Sequence, residues 1–161
     1  MLPTLPMIDI ITKWKNVLVA DTPLNDFCLA KYGRKPHIYV GVDLRNPPSE
    51  DEPELFPYIV LLPGPKTEGL NQSVYTYTPT VGWVVMQENT TVEGDVTFYD
   101  GLTEADEMGQ LIFAAVAEAN PDYPVTQLDV KSTGFAIAPQ YAGTFDATIS
   151  IPITMGVELE Y

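Results

Sequence analysis

Ile8, Ile11, Trp14 and Leu18 recur at spacings of three and four, which predicts an amphipathic helix from Pro6 to Ala20. Thr22-Pro23 then supplies an N-cap and a first-turn proline for a second helix. That helix carries Leu24, Phe27, Cys28 and Lys31 on one side and stops at Gly33. Beyond it the period changes. HIYVGVD (37–43) is a short strand, and DLRNPPSEDEPELFP (43–57), with four prolines and a block of acids, is an exposed loop. YIVLLP (58–63) is apolar without alternation and predicts a buried strand, followed by a second loop, GPKTEGLNQ (64–72).

From Ser73 the period is two. Tyr75, Tyr77, Val81, Trp83 and Val85 share one parity, and Thr76, Thr78 and Thr80 hold the other. Pro79 and Gly82 predict that this long strand bends or lies at an edge. NTTVEGD (89–95) reads as a turn and VTFYD as a short strand. The strongest helical pattern opens at Leu102-Thr103, with Thr103 and Asp106 as a capping box. Its stripe is Met108, Leu111, Ile112, Ala115 and Ala119, and Asn120-Pro121 ends it. VTQLDVKS (125–132) and the segment 144–161 are the last two strands.

In that last segment, FDATISIPITMGVELEY, every odd residue from Phe145 to Tyr161 is apolar. Fully extended it would run roughly 55 Å, against a domain about 30–35 Å across. It therefore bends, at Pro152 or Gly156, or projects beyond its sheet. Projecting, Met155, Val157, Leu159 and Tyr161 form an apolar stripe on an open edge and become candidate subunit-interface residues; folded back, they are internal. The order of elements predicts one α+β domain over 1–161, with a largely antiparallel or mixed sheet and helices packed on one face.

Charge narrows the function. Eight Lys and Arg stand against twenty-two Asp and Glu, a net charge of -14. That balance disfavours sequence-specific nucleic-acid binding and adhesion to an acidic membrane surface, and suits solubility or a basic partner. No apolar run is long enough to span a bilayer, and the N-terminus has no basic region of a signal peptide. The single cysteine, Cys28, forms no internal disulfide and suits a reducing cytoplasm.

Catalytic patterns are incomplete. His37 is the only histidine, so a triad, a Cys-His dyad or a histidine-built zinc site lacks parts. In GPKTEG a proline replaces the glycine that a phosphate loop needs before its lysine. Glu50, Asp51, Glu52 and Glu54 lack the spacing of a calcium loop. The expectation is a protein that is not an enzyme and uses no cofactor or metal.

The element order gives a resemblance. An N-terminal helix and a strand precede a proline-rich acidic loop that leads into PYIVLLPGP (57–65). A long Thr- and Tyr-rich strand follows, then a helix over Gly101–Ala119 and two closing strands. This arrangement resembles the tail terminator and tail-completion proteins of tailed bacteriophages, of the minor tail protein U type. The resemblance implies a structural subunit that forms a homohexameric ring on the head-proximal end of the tail tube. Such a ring ends tube polymerisation and joins the head connector, in the virion tail and, during assembly, in the host cytoplasm. Contacts to tube or connector would then fall on the two loops, at Glu50, Asp51, Glu52, Glu54, Lys66 and Glu68. The alternatives are a head–tail connector protein and a monomeric acidic adaptor for a basic protein surface.

Overall fold

The computed structural model describes residues 5–43, 45–68, 73–119 and 124–152, and backbone alone at 133–137. Helix α1 (Met7–Ala20) buries Ile11, Trp14 and Leu18 as the spacing predicts, but Ile10 takes the place expected for Ile8, which is exposed. Asp21 both ends α1 and caps α2 (Thr22–Tyr32), its carboxylate accepting the Leu24 N–H at 3.0 Å. The cap is thus one residue earlier than Thr22, because Asp21 keeps the extended backbone from which a short side chain reaches the first free amides. Leu24, Asn25 and Cys28 are buried, whereas Lys31 is exposed. Gly33, at φ 74°, closes the helix.

Strand β1 (His37–Val40) runs parallel to β2 (Tyr58–Leu62), joined by a crossover containing a 3-10 turn at Pro53–Leu55. Contrary to the expectation of a strand buried on both sides, β2 alternates: Ile59 and Leu61 are buried, and Tyr58, Val60 and Leu62 are half-exposed. Helices cover only one of its faces. Strands β3 (Lys66–Thr67), β4 (Val74–Tyr77) and β5 (Thr80–Met86) follow. Next come a separate hairpin, β6 (Thr90–Glu93) and β7 (Val96–Tyr99), then helix α3 (Asp100–Ala117) and a long hairpin, β8 (Val125–Ile137) and β9 (Gln140–Pro152).

The main sheet arranges its seven strands in five ranks: β1, then β2 with β3, then β5 with β4, then β9, then β8. Strands β4 and β5 are one long strand interrupted at Thr78-Pro79, since Tyr77 opposite Ile149 and Thr80 opposite Asp146 keep one register against β9. Pro79 has no amide to give, but its carbonyl accepts the Ala147 N–H at 3.1 Å and the ladder continues. The expected bend at Pro79 is therefore a gap in the hydrogen bonding, not a change of register.

The alternation of side chains sorts the sheet into two faces. One bears Tyr75, Tyr77, Val81, Trp83, Val85, Tyr141, Phe145, Ala147 and Ile149, all buried beneath the three helices. The other bears half-exposed threonines, with Thr80 donating to Asp146 at 2.7 Å and Thr78 3.0 Å from Thr148. The fold is α+β, as the order of elements predicts. The even spacing of buried residues in the last segment extends back to Tyr141 and forward to Ile149.

Two expectations shift at α3. The helix begins at Asp100, with no side-chain cap, because β7 runs directly into it. Thr103 is then an exposed residue inside the helix and not the start of a capping box. NTTVEGD is not simply a turn either: Thr90–Glu93 is a strand, and only Gly94 (φ 60°) and Asp95 turn.

Trp83 locks α3 to the sheet. Its Nε1 donates to the Ala105 carbonyl at 2.8 Å, and its ring fills a slot between Gly109 of α3 and Gly143 of β9. A Cβ at either glycine would overlap the indole. In an exposed helix Gly→Ala adds stability of about 1 kcal/mol; here the overlap dominates. We expect Gly109→Ala to lower stability by about 1–3 kcal/mol, measured by chemical unfolding followed through tryptophan fluorescence. A stabilised variant would mean that the slot is not tight.

Candidate assembly surface

The turn after β5 carries Gln87, which reaches back to α3. Its Nε2 donates to both oxygens of the Glu104 carboxylate, at 3.0 and 3.2 Å, and Tyr32 from the end of α2 donates to Oε1 at 2.9 Å. Glu104 is buried, so these donors replace the water its charge would otherwise need. Burial, then the nearby Glu104 charge, pushes the Tyr32 phenol far above its usual range, so it stays a donor. Gln87 also accepts the Asn89 N–H through Oε1 at 3.0 Å, and its own N–H goes to the Pro139 carbonyl at 2.9 Å. Asp100 accepts from Thr91 Oγ1 at 2.8 Å and gives its N–H to Asn89 at 3.3 Å. Helices α2 and α3 and the turn between β8 and β9 thereby clamp the base of the β6–β7 hairpin.

The hairpin itself is bare. All eight residues of its strands are exposed, Val92 at 65%, Val96 and Phe98 at 51% each and Tyr99 at 48%. Cross-strand pairing puts Phe98 with Thr91 and Val96 with Glu93 on one face, and Val92 with Thr97 and Tyr99 with Thr90 on the other. Tyr99 borders a cleft with Pro139 and Tyr141 of the body, and the exposed Leu102 extends the apolar surface into α3. An isolated two-stranded hairpin is marginal in water. The rigid base and apolar blade together describe a projection shaped for contact.

A second open feature is β1. It pairs with β2 on one side and, among the described residues, with no strand on the other. Val40 and, just past it, Val42 are exposed. His37 packs at a tilt against Tyr39 with ring centroids 4.6 Å apart, and Tyr39 meets Tyr58 edge-on at 5.6 Å. Beside this row opens a cleft of about 340 Å³ lined by Tyr39, Val42, Pro47, Pro48, Leu55 and Tyr58 among others, with Asp43 and Glu52 also on its wall. Arg34 pins the crossover over it, donating to the Pro53 and Phe56 carbonyls at 2.6 and 3.0 Å.

The residues expected to make contacts from sequence fall in three places. Met155, Val157, Leu159 and Tyr161 lie outside the described residues. Glu50, Asp51, Glu52 and Glu54 are exposed on the β1–β2 crossover. Lys66 and Glu68 form an ion pair at 3.0 Å, and Tyr77 donates to Glu68 at 2.7 Å. Those four crossover acids and the Lys66–Glu68 pair belong to separate elements, and no hydrogen bond among the described residues joins them. Missed from sequence were Val92, Val96 and Phe98, although the β-branched runs on either side of Gly94-Asp95 were a hairpin signal.

Other chemistry-bearing groups have structural surroundings. Cys28 is buried in the core, where desolvation pushes its thiol up to about 12. Tyr141 OH is buried without a partner among the described residues, against α3 at Gly101. No group of three His, Cys, Asp or Glu among the described residues is placed to hold a metal ion, and no helix there is long and apolar enough to cross a membrane. No protein-family model matches this chain, and no curated protein matches it in sequence.

Replacing Glu104 by Ala leaves the half-buried Tyr32 and Gln87 donors without their acceptor, with an expected loss of about 1–3 kcal/mol. Amide exchange should rise across Gln87–Tyr99 at the same time; destabilisation without faster exchange there would show that Glu104 does not hold the hairpin. A pH effect follows from the other carboxylate. The Tyr77 hydroxyl and then Lys66 hold the Glu68 carboxyl below the usual range near 4.3. Its stabilisation is present above the unfolded value and disappears as pH falls through the lowered folded value. Glu68→Gln should therefore flatten the acid limb of the stability profile, leaving the neutral limb parallel to wild type.

Proposed function

We propose that this chain is a structural assembly subunit of a bacteriophage tail, a terminator that caps the head-proximal end of the tail tube in a ring of its own copies. The observation that carries the reading is the β6–β7 hairpin, a blade whose eight strand residues are all exposed, four of them apolar or aromatic, and whose base is fixed by hydrogen bonds to the buried Glu104. An assembly subunit uses such a blade at an interface. The α+β architecture and the acidic crossover before β2 agree with the resemblance set out above. The net charge of -14 fits a channel through which DNA passes without adhering. The exposed acids of the crossover would face the tube or the head connector.

The deciding experiment is tail length in particles made without the protein. Tubes of uncontrolled length, restored to normal length by the purified chain, are expected. Tubes of normal length that fail to join heads would replace the terminator reading by that of a connector. Unaltered particles would overturn both.

A further inference from the structure

The cleft beside β1 is built from three kinds of side chain. Tyr39 and Tyr58 are half-exposed on the sheet face away from the helices, and their rings meet at 86°, which makes a corner. Val60, Leu55, Pro47 and Pro48 continue the wall without charge, and Asp43 and Glu52 complete it. Among the described residues no Lys or Arg lines it.

Its two carboxylates are incompletely matched. Glu52 forms no ion pair among the described residues. Asp43 pairs with Arg45 at 3.2 Å, but that arginine side chain is 92% exposed, and so open a pair is easily shared with another cation. The wall itself is held, because Arg34 donates to the Pro53 and Phe56 carbonyls on either side of Leu55. The cleft is therefore shaped before anything enters it.

These surroundings select a cation. Tyrosine faces attract one, and carboxylates beside them add to the attraction. The apolar wall suits the methylene stem that carries the charge of a lysine or arginine. An anion would be repelled, and a purely apolar group would dehydrate the carboxylates without pairing them. A free strand edge adjoins the cleft, since β1 has no second neighbour among the described residues. A strand added there would carry alternate side chains on the face of Tyr39.

We propose that an extended segment of a partner protein lies along the free edge of β1 and places a lysine or arginine side chain in the cleft, against Tyr39 and Tyr58 and beside Asp43 and Glu52. Main-chain hydrogen bonds hold the segment, and the cleft chooses it by charge. The hairpin blade of a second copy is not that segment, because no Lys or Arg occurs between Lys66 and Lys131. The proposal deepens the assembly reading and rests on it for what the partner is: a tube or connector protein meeting this crossover must present a basic extended segment.

The test is a titration of the isotope-labelled full chain, followed by amide chemical shifts, with a blocked pentapeptide of two valines on each side of a central arginine. Saturable shifts at Tyr39–Val42, Glu52, Leu55 and Tyr58–Val60 are expected. The same peptide with lysine should bind, and with glutamine should bind about tenfold more weakly or less. Asp43→Asn with Glu52→Gln, isosteric changes at exposed positions, should weaken the arginine peptide by about tenfold. Glu107→Gln with Glu118→Gln, which remove as much charge from exposed sites on α3 and just beyond it, should leave its affinity unchanged. No saturable shift, equal binding of the glutamine peptide, or equal weakening by both double variants overturns the proposal. So does ethylguanidinium binding as tightly as the peptide, which would make the occupant a small organic cation. Tail length decides the assembly reading separately, so either can fail alone.

Discussion

The placement of Trp83 between two glycines is the constraint on which the rest of the structure depends. A sheet and a helix normally meet through side chains on both surfaces, at a spacing set by those side chains. Here one indole spans the gap: glycine in β9 leaves room beneath it, glycine in α3 leaves room above, and the Ala105 carbonyl fixes its orientation. Phe113 and Phe145 close the sides, with rings 4.5 Å apart and nearly perpendicular. Translation of α3 along the sheet would drive a Cβ into the ring. The helix position is consequently set to within a fraction of a residue.

That fixed position reaches the surface. Glu104 precedes Ala105, so locking Ala105 to Trp83 also sets where a buried carboxylate meets Tyr32 and Gln87. Gln87 follows β5, the strand that carries Trp83, so the two attachments of the hairpin base both trace to the same tryptophan. A blade on a loose loop would lose most of its binding energy to ordering. On this base, the cost of orienting the blade is borne by folding.

Much of this was legible in the sequence because it is local. Helical spacing found α1 and the stripe of α3, and alternation found both faces of β4, β5 and β9, since these depend only on which residues neighbour one another along the chain. The α+β class followed from their order. What was not legible is long-range. Glu104 looks like any acid early in a helix, yet its partners lie 72 and 17 residues away. The two glycines of the Trp83 slot come from a helix and a strand whose proximity no spacing announces. Strand β2 looked buried on both sides because a run of apolar residues does not disclose that one sheet face lacks a helix. The hairpin was misread for a different reason: its first strand follows Asn89 and begins with two threonines, which resemble a turn until Gly94 is recognised as the turn itself. The stripe expected at Met155 to Tyr161 lies beyond the described residues, and the apolar surface that the structure does describe is elsewhere.

The hairpin and the β1 edge also differ in how they avoid indiscriminate pairing. An exposed edge and an exposed apolar hairpin are both hazards, since either can join any extended chain. Acids flank the blade, whereas both signs meet beside β1, where Lys31 and Lys35 precede the strand and Asp43 and Glu52 line its cleft. Blade against blade is then repelled. With a net charge of -14 the molecules repel at long range. A contact between them must be close and correctly oriented before local attraction exceeds that repulsion. Such a balance suits a subunit that should remain soluble while free and assemble where its copies are held together.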